Sequence, residues 1–507
     1  MTTLLRLNRF LAAASLGAFL LGGCEAQPTR LPSPRAVVGG QSAGPILLDG
    51  DTSDWAGETP ISADEHYLYL RFSPGSVYTL QSAPVMTTVL LDLDGDTATG
   101  ERSSLVPFNG LGVDLELTFS PRQGAAVKPG VAAATVNASG NRTPIATGDL
   151  DFTCTPTYAA TWYEMRISRT PENAGLLPRK GLLSSGLIRG IFALRDDNGK
   201  VTGYSDPFET EAGAAAPARA LARVDMPAKA ADVVRVMSWN VEKSGPLKNQ
   251  EVFRRVFQAA QPDVVLISEW EEGDAESVQG WFTALVGGDL PWNVCKAPGN
   301  NASGGGVAVA SRYPLVPLLK ETVTRPASDG KGAPRPVRFI AATISTPMGD
   351  FIAGAMHLKC CGTMNSSEDN TRMAEARAIN AAVAAAMKDA PGGATRVIAG
   401  DLNLVGSRPP LDLLRASLDA DASDLSVVLP VVLGDNTVTT WRDGGQGFAP
   451  GRLDYLVYSD ATADIANAFV LDTARLSDES LARLGLDRTD SEASDHLPLI
   501  VDIRPRR

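Results

Sequence analysis

Histidine is scarce in this chain, with three in 507 residues. Basic residues are outnumbered too: Lys and Arg total 46 against 58 Asp and Glu, a formal net charge of −12. That balance argues against tight, sequence-blind binding to nucleic acid, which draws on a basic surface. No basic stretch interleaved with aromatics, of the kind that grips single strands, is present. The five cysteines show no CxxC spacing, so a thiolate metal site of that type is not indicated. No internal repeat is visible. What the chain does have is length, too much for one ordinary core, so two or more domains are expected.

The first segment, residues 1–23, reads as a leader and not as part of a fold. Arg6 and Arg9 precede the short apolar run "FLAAASLGAFLL", which ends at "LGGC", Leu21 to Cys24. The run is short for a spanning helix, which needs roughly 20 residues. "LGGC" resembles the lipobox of bacterial lipoproteins, which implies export, lipidation (palmitate included) of Cys24 and membrane attachment. An uncleaved anchor or a conventional signal peptide is the alternative. Glu25 stands where an aspartate is commonly linked to inner-membrane retention, so the outer membrane of the envelope is the expected location. Residues 24–45 carry Pro, Gly and Ser without periodicity and read as a flexible tether.

Residues 46–210 alternate apolar and polar positions in "HYLYLRFS", "VMTTVLLDLD" and "VDLELTFS". Such strands between Gly, Pro, Asp and Ser predict a β-sandwich. Its opening, "ILLDGDTSDWAGETPIS", resembles the sandwich domains related to family-nine carbohydrate-binding modules through Asp49, Gly50, Asp54 and Trp55. The resemblance implies a glycan as partner. Trp55 reads as a core residue before a sugar-stacking one, since large aromatics are usually buried. Within "DLDGDTATG", Asp92, Asp94 and Asp96 at alternate positions would suit Ca²⁺, or form an acidic solvated turn. Residues 211–231 are Ala- and Pro-rich and read as a linker.

From residue 232 to 507, strands and helices alternate, which predicts an α/β domain. Polar residues recur where its apolar strands end: Asn240 and Glu242, Glu269, His357 and Lys359, Asp401 and Asn403, Asp454, and Asp495-His496. Residues two apart in extended chain face one side, and loops at strand ends are where α/β folds collect functional groups. Each position alone has an ordinary structural reading, because Asp and Asn favour turns and caps.

As an ordered set, "SWNVE", "PDVVLISE", "GGVAVASRYPL", "HLK", "GDLN", "TTW", "RLDYL" and "SDHLP" resemble the endonuclease/exonuclease/phosphatase superfamily. The resemblance implies a four-layered α/β sandwich, two packed β-sheets flanked by helices, behind a separate all-β domain. It also implies metal-assisted hydrolysis of a phosphate ester, with Mg²⁺ (or Mn²⁺) held by Asn240, Glu242, Glu269 and Asp495. His357 and Asn403 would contact the scissile phosphate, Asp454 would hold His496, and Asp401 or His496 would be the base. Lys359 would be a basic contact to substrate. The substrate could be a phosphodiester or a phosphomonoester, with no stable nucleic-acid complex expected. The alternatives are an inactive glycan-binding envelope lipoprotein and a nuclease acting on extracellular nucleic acid.

Overall fold

The computed structural model describes residues 28–33, 46–104, 110–124, 126–171, 177, 182–216, 223–289, 291–327, 331–388, 390, 393–442 and 447–506. Cys24, and with it the expected leader and lipid attachment, lies outside them. Among the described residues, no helix is long and apolar enough to cross a membrane.

The first unit is the expected β-sandwich. One sheet holds β1 (Tyr67–Phe72) between Ile61–Ala63 and the strand β5 (Tyr163–Ser168). The other is built around β2 (Met86–Asp92), β3 (Leu115–Phe119), β4 (Val131–Val136) and β6 (Gly186–Arg195). Leu68, Leu70 and Phe72 of the first sheet share one core with Val89, Leu91, Leu115 and Leu117 of the second, the alternation of strands packed on one face. Trp55 is buried, and its indole donates to Glu164 Oε1 at 2.5 Å, so it is a core residue.

The acidic turn differs from its expectation. Asp96 is exposed, and its carboxylate accepts from Ala98 N. Asp114 takes its place, with ligand atoms of Asp92, Asp94 and Asp114 within 4.8 Å of one another. Asp92 and Asp94 share the end of β2, but Asp114 comes from the start of β3, a neighbourhood that spacing along one segment does not encode. Arg189 already pairs with Asp92.

In the second unit, β7 (Val234–Asn240), β8 (Val264–Ser268) and β9 (Ala308–Ser311) form one sheet with β14 (Ala463–Val470) and β15 (Leu499–Pro505). The other sheet runs β10 (Phe339–Thr346), β11 (Gly349–His357), β12 (Thr395–Asp401) and β13 (Asp454–Tyr458). Val234 and Val236 of β7 point into the core between the sheets with Val397 and Ala399 of β12. Met237 and Trp239 point the other way, onto Phe253, Val256 and Phe257 of α1 (Gln250–Ala260). Ile398 meets Ala376, Ile379 and Val383 of α2 (Ser367–Ala386) on the opposite outer face. Strands buried on both faces read as near-continuous apolar runs, and the result is the expected four layers. Ser366 caps α2 by accepting from Asp369 N at 3.2 Å.

The two units are docked. Leu48 bridges Thr437, and Arg166 of β5 donates to both Asp435 and Asn436. Arg475 approaches Asp435 at 2.9 Å. Part of the expected linker also packs: Val224 bridges Leu476, and Met226 is buried in the core beside α1. Burial opposes a charge on Asp435, yet Arg166 and Arg475 outweigh it and hold the carboxyl down at about 2. A depressed carboxyl contributes stability above its unfolded value, roughly 3.9, that is lost as pH falls through the folded one. Asp435→Asn should cost about 3 kcal/mol in denaturant unfolding, since it leaves buried Arg166 short of its main counter-charge. An unchanged midpoint would show the contact to be energetically idle.

Candidate active site

Strand ends of both sheets meet at one cleft. In register, His357 at the end of β11 faces Asp401 of β12, and Asp401 faces Asp454 of β13. Gly400 (φ 147°) lets the chain pass this point, because a Cβ there would sit 1.9 Å from Met356 O. From the other sheet, Asn240 ends β7, Glu269 follows β8 and His496 precedes β15. Glu269 (φ 63°) and Asn403 (φ 49°) both adopt left-handed backbone, a conformation uncommon outside glycine and frequent at functional sites.

The polar contacts interlock. His496 Nδ1 lies 2.7 Å from Asp454 Oδ2, which leaves Nε2 toward the cleft, 3.7 Å from Asp401 Oδ2. Asn240 Nδ2 reaches Asp401 Oδ2 at 3.2 Å, Glu269 Oε1 at 3.3 Å and His496 Nε2 at 3.4 Å. Asn403 donates to both oxygens of Asp401, from its N and its Nδ2, each at 2.8 Å. His357 Nε2 stands 3.5 Å from Asp401 Oδ2 and 3.7 Å from Glu269 Oε1. Asp454, Asp401, Asn403, His357 and His496 are all buried.

The electrostatics split the two histidines. Burial disfavours charge on His357, and Arg338, 3.2 Å from its Nδ1, and His496 add to it, so this imidazole is held well below its usual value. Burial acts the same way on His496, but Asp454 and Asp401 outweigh it and raise the group to about 10. Burial also raises Asp401 to about 7, with Asp454 and Glu269 adding and His496 opposing.

Not every expected residue joins. Glu242 has φ 44°, so the extended alternation stops at Asn240, and the Glu242 carboxylate turns outward to Lys243, 3.6 Å away. Its peptide N–H donates to Asn240 Oδ1, so it steadies the asparagine instead of joining it. Asp495 lines the cleft, with Trp441 Nε1 donating to its Oδ2 at 3.1 Å. Lys359 is exposed and belongs to a neighbouring hollow of about 810 Å³, with Lys243, Arg325, Arg335 and Arg338. Glu269 and His357 stand on the rim common to both cavities. Cys360 and Cys361 are free thiols on the loop after β11, where Arg372 of α2 clamps the carbonyls of Lys359 and Cys361.

Several supporting residues escaped the sequence reading. Trp239 Nε1 donates to His496 O at 2.8 Å, and Ser494 Oγ donates to Asn240 O at 2.7 Å. Thr440 Oγ1 accepts from Asp454 N at 2.9 Å. Trp239, Ser494, Thr440 and Trp441 sit inside "SWN", "SDH" and "TTW", so their proximity to the polar positions was the available signal. Arg338 carried none, being one arginine just before β10.

Would the residues suit a divalent cation? Glu269, Asp401 and Asp495 bring three carboxylates to one cleft, and behind His496 the Oδ1 of Asp454 is buried without a hydrogen-bond partner. An oxygen-rich, anionic donor set of this kind fits Mg²⁺, which takes one or two carboxylates and keeps other positions for water or phosphate. In imidazole NMR the raised group, His496, should keep its proton until pH approaches about 10, while His357 stays neutral well below pH 6.5. The stability His496 contributes is then complete below about 6.5 and lost as pH rises through 10. Asp454→Asn should shift the His496 transition down by at least about one unit, and an unmoved transition would contradict the pairing.

A model of the endonuclease/exonuclease/phosphatase family matches residues 237–496. No curated protein matches the chain. Among solved structures, the catalytic domain of human Nocturnin with bound sulfate is 18% identical, covering 55% of this chain and 97% of its own, with a TM-score of 0.38. A mutant beta toxin from Staphylococcus aureus with bound magnesium ions is 16% identical, covering 53% and 99%, at 0.33. An AP endonuclease from Archaeoglobus fulgidus is 13% identical, covering 53% and 98%, at 0.33. With the family model spanning half of its length and the polar strand ends gathered in one cleft, the chain belongs to the endonuclease/exonuclease/phosphatase family.

Proposed function

We propose that the chain is a metal-dependent phosphoric ester hydrolase in which water attacks a phosphate held at the shared strand ends. The observation that carries this reading is the convergence of His357, Asp401, Asn403 and His496 from two different sheets onto one cleft. Asp454 is a positioning residue: it fixes the His496 ring through Nδ1 and so aims Nε2 at the reacting phosphate. His357 and Asn403 donate to the non-bridging phosphoryl oxygens, whose charge grows in the transition state. The proton of the attacking water passes to Asp401, because His496 beside it already holds its own. Mg²⁺ held by Glu269 and Asn240, with Asp495 orienting nearby water, would polarise the phosphoryl oxygens and steady the leaving alkoxide. The cationic hollow beside His357 suits the approach of an anionic ester.

Hydrolysis of bis-p-nitrophenyl phosphate and p-nitrophenyl phosphate by residues 25–507 tests the reading. Turnover should need Mg²⁺, stop with EDTA, and fall about 10³-fold in His496→Ala and about 10²-fold in Asn403→Ala. Turnover indifferent to EDTA and to both substitutions would sink it.

Export and lipid attachment at Cys24 complete the proposal, on the strength of the basic start, the apolar run and "LGGC". Cell fractionation should find the full chain with membranes and Cys24→Ser in the soluble fraction. Equal membrane recovery of both would refute lipidation.

A further inference from the structure

We infer that the β-sandwich is one wall of the substrate site and selects esters whose alcohol is uncharged and apolar. The inference rests on the phosphoesterase reading and extends it to substrate class. The cleft that holds His357, Asp401 and His496 is a cavity of about 680 Å³. Thr79, Gln81, Ser82, Val127, Pro129 and Thr157 of the sandwich close one side of it.

This wall is fixed in place by hydrogen bonds to the segments that carry the reacting groups. Thr79 Oγ1 donates to Gly406 O at 3.1 Å, and Thr157 Oγ1 donates to Leu404 O at 2.7 Å, both just past Asn403. Thr157 Oγ1 also reaches Arg452 O at 3.1 Å, just before Asp454. Gln81 Oε1 accepts from Ala449 N at 2.7 Å, and Ala449 is packed in the sandwich's own core. Val131 N donates to Gly447 O at 2.7 Å, an approach so close that a Cβ on Gly130 (φ 117°) would lie 2.3 Å from that oxygen.

The chemistry of the wall sets what fits. None of its six residues is charged, and Lys128, between Val127 and Pro129, does not line the cavity. A nucleic-acid backbone needs Lys and Arg along its path, and here it would meet none on this side. Val127 instead presents an apolar side chain, 38% exposed, to the cavity that Phe448 and Leu453 also line. A cavity of this size and lining takes a ligand of small-molecule dimensions, with the phosphate at the polar end and the apolar group among Val127, Pro129, Phe448 and Leu453.

Methyl, phenyl and octyl p-nitrophenyl phosphates, with supercoiled plasmid as the polymer, test this with Mg²⁺ and residues 25–507. The wild type should favour the phenyl or octyl ester over the methyl ester by at least about tenfold in kcat/KM, and leave the plasmid intact. A preference for phenyl alone assigns a ring-sized alcohol, and one for octyl alone a chain. Val127→Asp should reduce the ratio about tenfold, and the shape-conserving Val127→Thr should reduce it in the same direction. Because the readout is a ratio of two esters, a general loss of activity cancels. Equal kcat/KM for all esters, ready plasmid cleavage, or a ratio unmoved in both variants overturns the inference while the phosphoesterase reading stands. No metal-dependent hydrolysis of any ester overturns both.

Discussion

The contact between His496 and Asp454 is the constraint on which the rest of the site depends. Asp454 begins a strand of one sheet, and His496 precedes a strand of the other, so their 2.7 Å approach exists only when the two sheets are packed in the right relation. The valines, alanines and leucines of the inter-sheet core set that relation, with Ser268 Oγ donating to Met356 O at 2.9 Å across it. A buried carboxylate and imidazole tolerate little displacement, because each is costly without the other. The core positions the pair, and the pair in turn registers correct packing of the core.

Around this contact, the polar groups are few and heavily shared. Asp401 Oδ2 is met by Asn403, Asn240, His357 and His496. Asn240 in turn is held from behind by Ser494 and Glu242 N. Sharing of this kind makes a preorganised site, in which donors need not reorient as charge develops. It also explains the neutral His357 beside the charged His496: the carboxylates of Asp454 and Asp401 satisfy one imidazole, and Arg338 opposes a proton on the other. The second unit alone does not enclose the cleft. Loops on either side of Asn403 and Asp454 are tied to the sandwich, so the two units form one site.

Much of this was legible in the residues. Apolar runs with polar ends located eight of the strands of the second unit, and those polar ends are the groups that converge. β14 escaped because "ADIANAFV" mixes Asp and Asn with small residues, which have weak strand preference. Glu242 was misplaced because the two-apart rule holds only in extended chain, and three successive residues, Glu242 to Ser244, have positive φ. Asp114 and Arg338 act across strands, which no local spacing encodes. The docking of the sandwich was invisible for the same reason: Thr79, Gln81 and Thr157 are ordinary polar loop residues until their partners are known.

His496 and Asp454 act as one device. A double-mutant cycle on kcat for bis-p-nitrophenyl phosphate, with Asp454→Asn, His496→Ala and the combination, measures this directly. If the claim holds, the double variant is about as slow as His496→Ala alone, because Asp454 has nothing left to position. If the two losses multiply in the double variant, the residues contribute independently and the account of the site is wrong.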